Sequence, residues 1–288
     1  MYFLAGPLSF IIRPIYNLVS NYGLTLIIVT ILIKVATIPL TLKSQKNMAK
    51  TQMIQPEINK IQERYKNDRN LLAIEMQKVY KRYNVKPMAG CLPLIIQMFV
   101  LFGFIGVIYH PFEYILQMSG KEIGDLAEAL GASRKSQETS LWGLNGVNEY
   151  IRSIGKTPIN FNFFGIDLTK IPSADMYNWT VWIFPVLATL FTYLSGVQTQ
   201  MQQKQNAGTN SNAPAPGSMM MKIMPIMTGI FTITMPIGMS LYWFVSTFFQ
   251  IVQQFIMNKF VNDKIKAQVL LTMEEIKEEK AKKKKGKK

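Results

Sequence analysis

The run Tyr22-Gly-Leu-Thr-Leu-Ile-Ile-Val-Thr30-Ile-Leu-Ile-Lys34-Val-Ala-Thr37-Ile-Pro-Leu-Thr41-Leu42 decides what kind of protein this is. It is apolar over the length a helix needs to cross a bilayer, about 20 residues, and it holds one charge. Lys34 lies roughly 12 Å of helical rise from Leu42, too deep for easy escape to the interface. A lysine at the centre of a span costs about 3 kcal/mol even on the lenient insertion scale. Helical spacing says where that cost is relieved, because Thr30, Lys34, Thr37 and Thr41 recur at i, i+4, i+7 and i+11 and share one face. One side of this helix is expected to be wet. A snorkelling lysine, with Ser, Thr and Gln joining helices, is the competing reading; it fits the periodicity but not the depth.

Further apolar runs at 90–110, 179–198, 219–235 and 239–258 extend the pattern to an all-α integral membrane protein with five transmembrane helices. Pro236-Ile237-Gly238 is a turn that makes the last two spans a tight pair. Charge gives the orientation. Of the net charge of +15, residues 43–86 carry eleven basic against four acidic side chains, whereas 111–178 carry six basic against eight acidic. Basic loops stay in the cytoplasm, so 43–89 and the basic tail 259–288 are expected inside, 111–178 outside, and the chain N-outside and C-inside. Residues 1–21 show no basic leader and no small-residue cleavage site, which fits an uncleaved interfacial helix with Arg13 among headgroups.

Within 43–89, Ile54, Ile58, Ile61 and Tyr65 form one apolar stripe and Leu72, Met76, Val79 and Tyr83 another. Two amphipathic helices, 45–66 and 71–83, are therefore expected as an antiparallel cytoplasmic hairpin. Asp68 or Asn70 would cap the second, and Pro56 would kink the first or start its regular part. The loop 111–178 offers one weakly amphipathic helix near 122–130 and no catalytic pattern. Residues 199–218 read as a mobile linker rich in Gly, Asn, Ala and Pro. The methionines of spans four and five suit a surface that accepts varied apolar guests, but ordinary gap-filling in packed helices is the better explanation for most of them.

Span two contains Gln97, and span five has a polar stripe of Trp243, Ser246 or Thr247, Gln250 and Gln254. None of the five runs contains Asp or Glu. Polar stripes on spans one, two and five around one positive charge predict a water-containing hydrophilic groove inside the bilayer, suited to a polar or acidic guest. A proton relay or ion-coupled carrier usually needs a carboxylate at that depth. With Cys91 and His110 each the only one of its kind, neither a disulfide nor a Cys-based metal site is expected. No glycine-rich phosphate loop is present, so no cofactor and no enzymatic activity are expected. Two rivals remain: a channel or carrier with a cationic cavity, and an intramembrane hydrolase with Lys34 as base and Ser240 or Ser246 as nucleophile. Neither serine sits in a nucleophile motif.

Several motifs occur in a familiar order: Ile-Pro-Leu-Thr at 38–41, Met-Ala-Lys followed by Ile-Gln-Pro-Glu-Ile at 48–58, Gly-Cys-Leu-Pro-Leu-Ile-Ile-Gln at 90–97, and Leu-Tyr-Trp-Phe-Val-Ser followed by Gln-Gln at 241–254. From about residue 18 to 262 the chain resembles the YidC family of membrane protein insertases, in the five-span form without a large extra periplasmic domain. The resemblance implies a protein of the bacterial cell membrane that takes nascent membrane proteins from the cytoplasm into the bilayer, alone or with the Sec translocon. It implies early substrate contact at the cytoplasmic hairpin, while the charge of the tail, with Lys280 and Lys282 to Lys285, by itself predicts anionic partners, either lipid headgroups or the RNA of a ribosome. Matched to the family pattern, Lys34 stands where most relatives have arginine. Thr30, Gln97, Tyr242 and Trp243 fall at groove or adjacent core positions, beside Gln250 and Gln254 from the stripe.

Overall fold

The computed structural model describes residues 4–86, 92–207 and 218–260, and in the tail Ala267, Leu270, Leu271, Glu274, Glu275 and Glu278. Cys91, with the opening of the second run, half of the 199–218 linker (208–217) and most of the basic tail, lies outside the described residues, while 199–207 continue a helix. The described chain is mostly helical, with one two-stranded hairpin. It divides into two compact units, one of Met1–Ala36, Ile95–Tyr193 and Ile223–Phe249, the other of Thr37–Leu94, Leu194–Lys222 and Gln250–Lys288.

In the first unit, α1 (Ala5–Val19) buries Ala5, Leu8, Ser9, Ile12 and Tyr16 along one face. Arg13 donates from Nε to the Tyr114 carbonyl at 2.5 Å. The first span is the start of α2 (Tyr22–Met53), and the second is α5 (Leu92–Tyr109). Gly103 lets α5 approach α1, since a Cβ there would lie 3.2 Å from Leu8.

Residues 111–178, read from sequence as a loop, form a folded lobe. It contains α6 (Pro111–Tyr114), α7 (Gly120–Ala129), α8 (Glu138–Leu141) and α9 (Val147–Ser153). A hairpin of β1 (Asn162–Phe163) and β2 (Ile166–Asp167) follows, paired antiparallel. The expected helix near 122–130 is α7, started by a capping box of Ser119 and Glu122. Phe112, Leu126, Leu141 and Ile151 are buried in the same core as Ile12 and Leu26. Backbone bonds stitch the lobe to two helices: Tyr22 N–H to Asn160 O at 3.0 Å, Ile237 N–H to Lys170 O at 2.9 Å, and Gly238 N–H to Leu168 O at 2.9 Å. The first bond fixes the start of α2. The other two fix the start of α12 (Ile237–Phe260), which follows α11 (Ser218–Thr234) after the expected turn.

In the second unit α2 continues without a break to Met53, so the first helix of the expected pair is shorter than the stripe suggested. The break falls at Ile54, and Pro56 opens α3 (Gln55–Arg64), because a proline tolerates the first turn but not the middle of a helix. Asp68 caps α4 (Arg69–Arg82), accepting from Leu71 N–H at 2.9 Å. The two helices enclose Ile54, Ile58, Val79 and Val85. Arg82 and Tyr83 reach back to Glu57 at 2.9 and 2.7 Å, so α3 and α4 run antiparallel. Burial, and then the Glu57 bond, push the Tyr83 hydroxyl up to about 12.

Among the described residues, three helices are long and apolar enough to cross a membrane: Tyr22–Met53, Leu92–Tyr109 and Trp179–Gln202, the last spanning a 3-10 turn and most of α10 (Ile183–Ala207). Ile223–Thr234 of α11 is a shorter apolar stretch. The polar stripe of α12 dilutes its apolarity. The five-span expectation thus has three helices that meet the length and composition of a span, with α11 and α12 standing at the fourth and fifth runs.

Candidate functional site

The polar residues expected on spans one, two and five meet in the first unit. Lys34 Nζ donates to Gln97 Oε1 at 2.9 Å, joining α2 to α5. Gln97 Nε2 in turn donates to Tyr242 Oη at 2.7 Å and reaches Ser246 Oγ at 3.4 Å, both on α12. Tyr242 is buried, and its ring stacks on Phe104 with centroids 4.3 Å apart. One amide therefore organises the site: its oxygen faces the ammonium and its nitrogen faces the phenol. Buried polar groups need such partners, and a charged donor makes the first bond of the chain the strong one.

The other anticipated residues lie differently. Thr30 is buried, and its hydroxyl donates to the Leu26 carbonyl of its own helix at 2.6 Å. Trp243 follows Tyr242 in sequence but turns to another neighbour, donating from Nε1 to Thr192 Oγ1 of α10 at 3.3 Å and lying against Phe231. In the second unit Gln250 is exposed, while Gln254 is buried and donates to Gln202. Gln253, unremarked in the stripe, donates to Thr41 Oγ1 at 2.6 Å. A cavity of about 20 Å³ lined by Gln45, Gln52, Gln202 and Gln254 lies in that unit, room for about one water. Ser240, a nucleophile candidate, is buried and donates to the Thr232 carbonyl at 3.1 Å.

The lobe carries a second polar cluster that the sequence did not advertise. Glu138 is 3% exposed, accepts from Phe112 N–H at 2.6 Å and lies 3.5 Å from His110 Nδ1. His110, Glu113 and Glu138 bring one ligand-type atom each within 4.8 Å of one another. Burial raises the Glu138 carboxyl above its ordinary range, with His110 and Phe112 N–H opposing. The Glu138 bond raises His110, against burial. A cavity of about 500 Å³ also lies in the lobe, lined in part by Trp142, Arg152, Phe161 and Asp167. It contains none of the anticipated site residues.

An ammonium, an amide and a phenol in series join three helices, two of them long and apolar enough to cross a bilayer, which fits an all-α membrane protein. Residues 14–264 match the 60Kd inner membrane protein family, and the chain belongs to that family. It is 30% identical over 253 residues to a membrane protein insertase YidC of Fusobacterium nucleatum, covering 88% of this chain and 94% of the relative. It is 31% identical over 255 residues to membrane protein insertase YidC 2 of Bacillus anthracis, covering 87% and 77%. Against a YidC of Pelodictyon phaeoclathratiforme it is 31% identical over 255 residues, covering 87% of this chain but 36% of that longer protein. All three relatives are named as insertases.

Proposed function

We propose that this protein inserts nascent membrane proteins into the bilayer by receiving them in a positively charged hydrophilic groove and releasing them sideways into lipid. The observation that carries the reading is the bond series from Lys34 through Gln97 to Tyr242, which joins α2, α5 and α12. In this reading Lys34 attracts the polar or acidic tail of the guest, Gln97 and Tyr242 hold the ammonium in place, and Thr30 and Trp243 shape the adjoining wall. Gln250 and Gln254, further along α12, offer the guest additional polar contacts.

The mechanism is physical. A groove open to the cytoplasm and to lipid, but closed on the outer side, lets a polar tail enter water at half depth, so less bare bilayer remains to be crossed. The guest's apolar segment then leaves along spans three and five, drawn by about 0.8 kcal/mol per buried CH₂. The lobe 111–178, tied to the starts of α2 and α12, is the outer closure in this scheme. Five spans, N-outside and C-inside, put α3 and α4 in the cytoplasm as the hairpin that first meets the guest. The basic tail would engage ribosomal RNA or anionic lipid, where each near-surface lysine contributes about 1 kcal/mol. Insertion can proceed alone or beside the Sec translocon.

Reconstitution of the pure protein in liposomes with a short single-span substrate tests the proposal. Protease protection of the substrate well above that in empty liposomes is expected. Protection equal to empty liposomes, from protein shown to be folded, would overturn it.

A further inference from the structure

The tip of the lobe's hairpin is built against local preference. Phe164 and Gly165 form the two-residue turn between β1 and β2, with φ of 50° and 80°. Such a turn wants positive φ at both positions, and Asn-Gly is its favoured sequence. A phenylalanine in the left-handed region is unfavourable for an L residue with a bulky side chain. Burial does not offset this, because Phe164 is 89% exposed, its ring in edge-to-face contact with Phe163 at 4.7 Å between centroids.

The hairpin beneath the tip is fixed. Phe163 is buried against the start of α2, where a Cβ on Gly23 would come within 2.5 Å of its ring. It also lies 6.2 Å, centroid to centroid, from Phe184 near the start of α10. Asn162 Oδ1 accepts from Gly165 N–H at 2.9 Å, and Asn21 Nδ2 donates to the Asn162 carbonyl at 2.9 Å. The exposed ring is thus held out by an anchored support.

A second exposed group lies in the segment leading into the same helix. Met176, Tyr177 and Trp179 are 62%, 102% and 74% exposed. Their turn is ordered: Trp182 Nε1 donates to the Met176 carbonyl at 3.1 Å, and Asn178 Oδ1 accepts from Thr180 N–H at 3.1 Å. β2 packs on the 3-10 turn Trp179–Trp182, so the hairpin and this turn belong to one surface. The surface adjoins the spanning segment Trp179–Gln202, whose first residue is Trp179 itself.

We infer that Phe164, Met176, Tyr177 and Trp179 form a lipid-docking surface that seats the 111–178 lobe at the headgroup–acyl boundary around the N-terminal end of α10. Continuity with a spanning helix selects the occupant, because a residue beginning such a helix is at headgroup level, where Trp and Tyr rings with an apolar body and a polar tip are favoured. Phe164 adds an apolar wedge whose transfer from water offsets the cost of its backbone conformation. The lobe then has a third attachment, to lipid, beside its bonds to α2 and α12. The inference requires that α10 cross the bilayer, and it is independent of whether guests are inserted.

Site-specific labelling of the full chain in vesicles of phosphatidylcholine with anionic phosphatidylglycerol tests it. In a Cys91→Ser background, Phe164→Cys, Tyr177→Cys and, as a water-facing control in the same lobe, Ser133→Cys are labelled with an environment-sensitive fluorophore. The labels at 164 and 177 are expected to emit blue-shifted, to be quenched at least about twofold more than the control by shallow nitroxide lipids, and to be shielded from iodide. Tyr177 is fully exposed, so its label reports even where a change at Phe164 disturbs the turn. Water-like emission with full iodide quenching at 177 overturns the inference. Shielding that disappears as protein is diluted in lipid also overturns it, in favour of contact between copies.

Discussion

The 111–178 lobe and the α3–α4 pair both depart from the spanning helices, yet they are held by opposite means. The lobe shares a continuous core with α1 and α2 and is sewn to α2 and α12 by backbone bonds. The pair encloses four buried side chains and closes with an exposed Arg82–Glu57 ion pair, of a kind that contributes 1 kcal/mol or less. Regions with few buried contacts open first, and mobile functional elements are drawn from them. The contrast sets a lobe with an extensive core against a helix pair with a small one, which the proposed mechanism uses as fixed closure and yielding receiver.

The largest expected effect comes from the yielding region. Replacing residues 55–81 by a short flexible bridge should leave the first unit folded, with an unchanged melting transition in detergent, while substrate insertion falls to background. Full insertion by that deletion would make the pair a connector and end the functional half of the contrast.

A smaller effect, in the fixed region, should come from Gly23→Val. Its side chain would be driven into Phe163, and overpacking of that kind costs about 1–3 kcal/mol. A lower melting temperature, with cleavage by protease inside 155–170, would locate the damage at the hairpin. An unaltered melt would show that the lobe yields as readily as the helix pair.

The smallest effect is a pH dependence confined to the lobe. His110 follows the end of α5, and its raised folded-state value means that its stabilisation is fully present below its ordinary value of 6.5 and is lost as pH rises through the folded value. Glu138 has the same sign, since a carboxyl raised by burial favours folding below its ordinary 4.5 and loses that contribution as pH rises. Glu122, lowered by its bonds to Ser119, works in the opposite sense and loses its contribution as pH falls. Lowering pH from about 8 to about 6.5, a window set by His110, should therefore raise the lobe's melting temperature, and His110→Gln should flatten that rise. An equal rise in the variant would assign the effect to other groups.

The two regions were also unequally legible in the sequence. The stripes of Ile54, Ile58 and Val79, the Asp68 cap and the start at Pro56 could be read because amphipathic helices repeat a period. The lobe has helices of four to ten residues and strands of two, too short for a period to emerge. Glu138 and His110 are distant in sequence, and only the fold makes them neighbours. At the site, Lys34 and Gln97 stood out as polar groups in apolar runs, whereas Tyr242 came from family resemblance because a tyrosine in a span is unremarkable. Trp243 lies on the stripe but faces Thr192, since a helix face is broad enough to touch more than one neighbour.

The measurement that tests the central claim most directly is insertion of a matched pair of substrates, one with an acidic and one with a neutral N-tail, by Lys34→Arg, Lys34→Met and Lys34→Glu. Attraction across a few ångströms is stronger in a partly dehydrated groove than in bulk water, so sign should matter more than shape. Lys34→Arg should be nearly silent on both substrates. Lys34→Met should slow the acidic substrate by about tenfold, equivalent to about 1.4 kcal/mol, and the neutral one much less, with Lys34→Glu slowing the acidic substrate most. Equal activity of Lys34→Met and the parent protein on both substrates would contradict the account and leave Lys34 as a side chain that merely reaches for the interface.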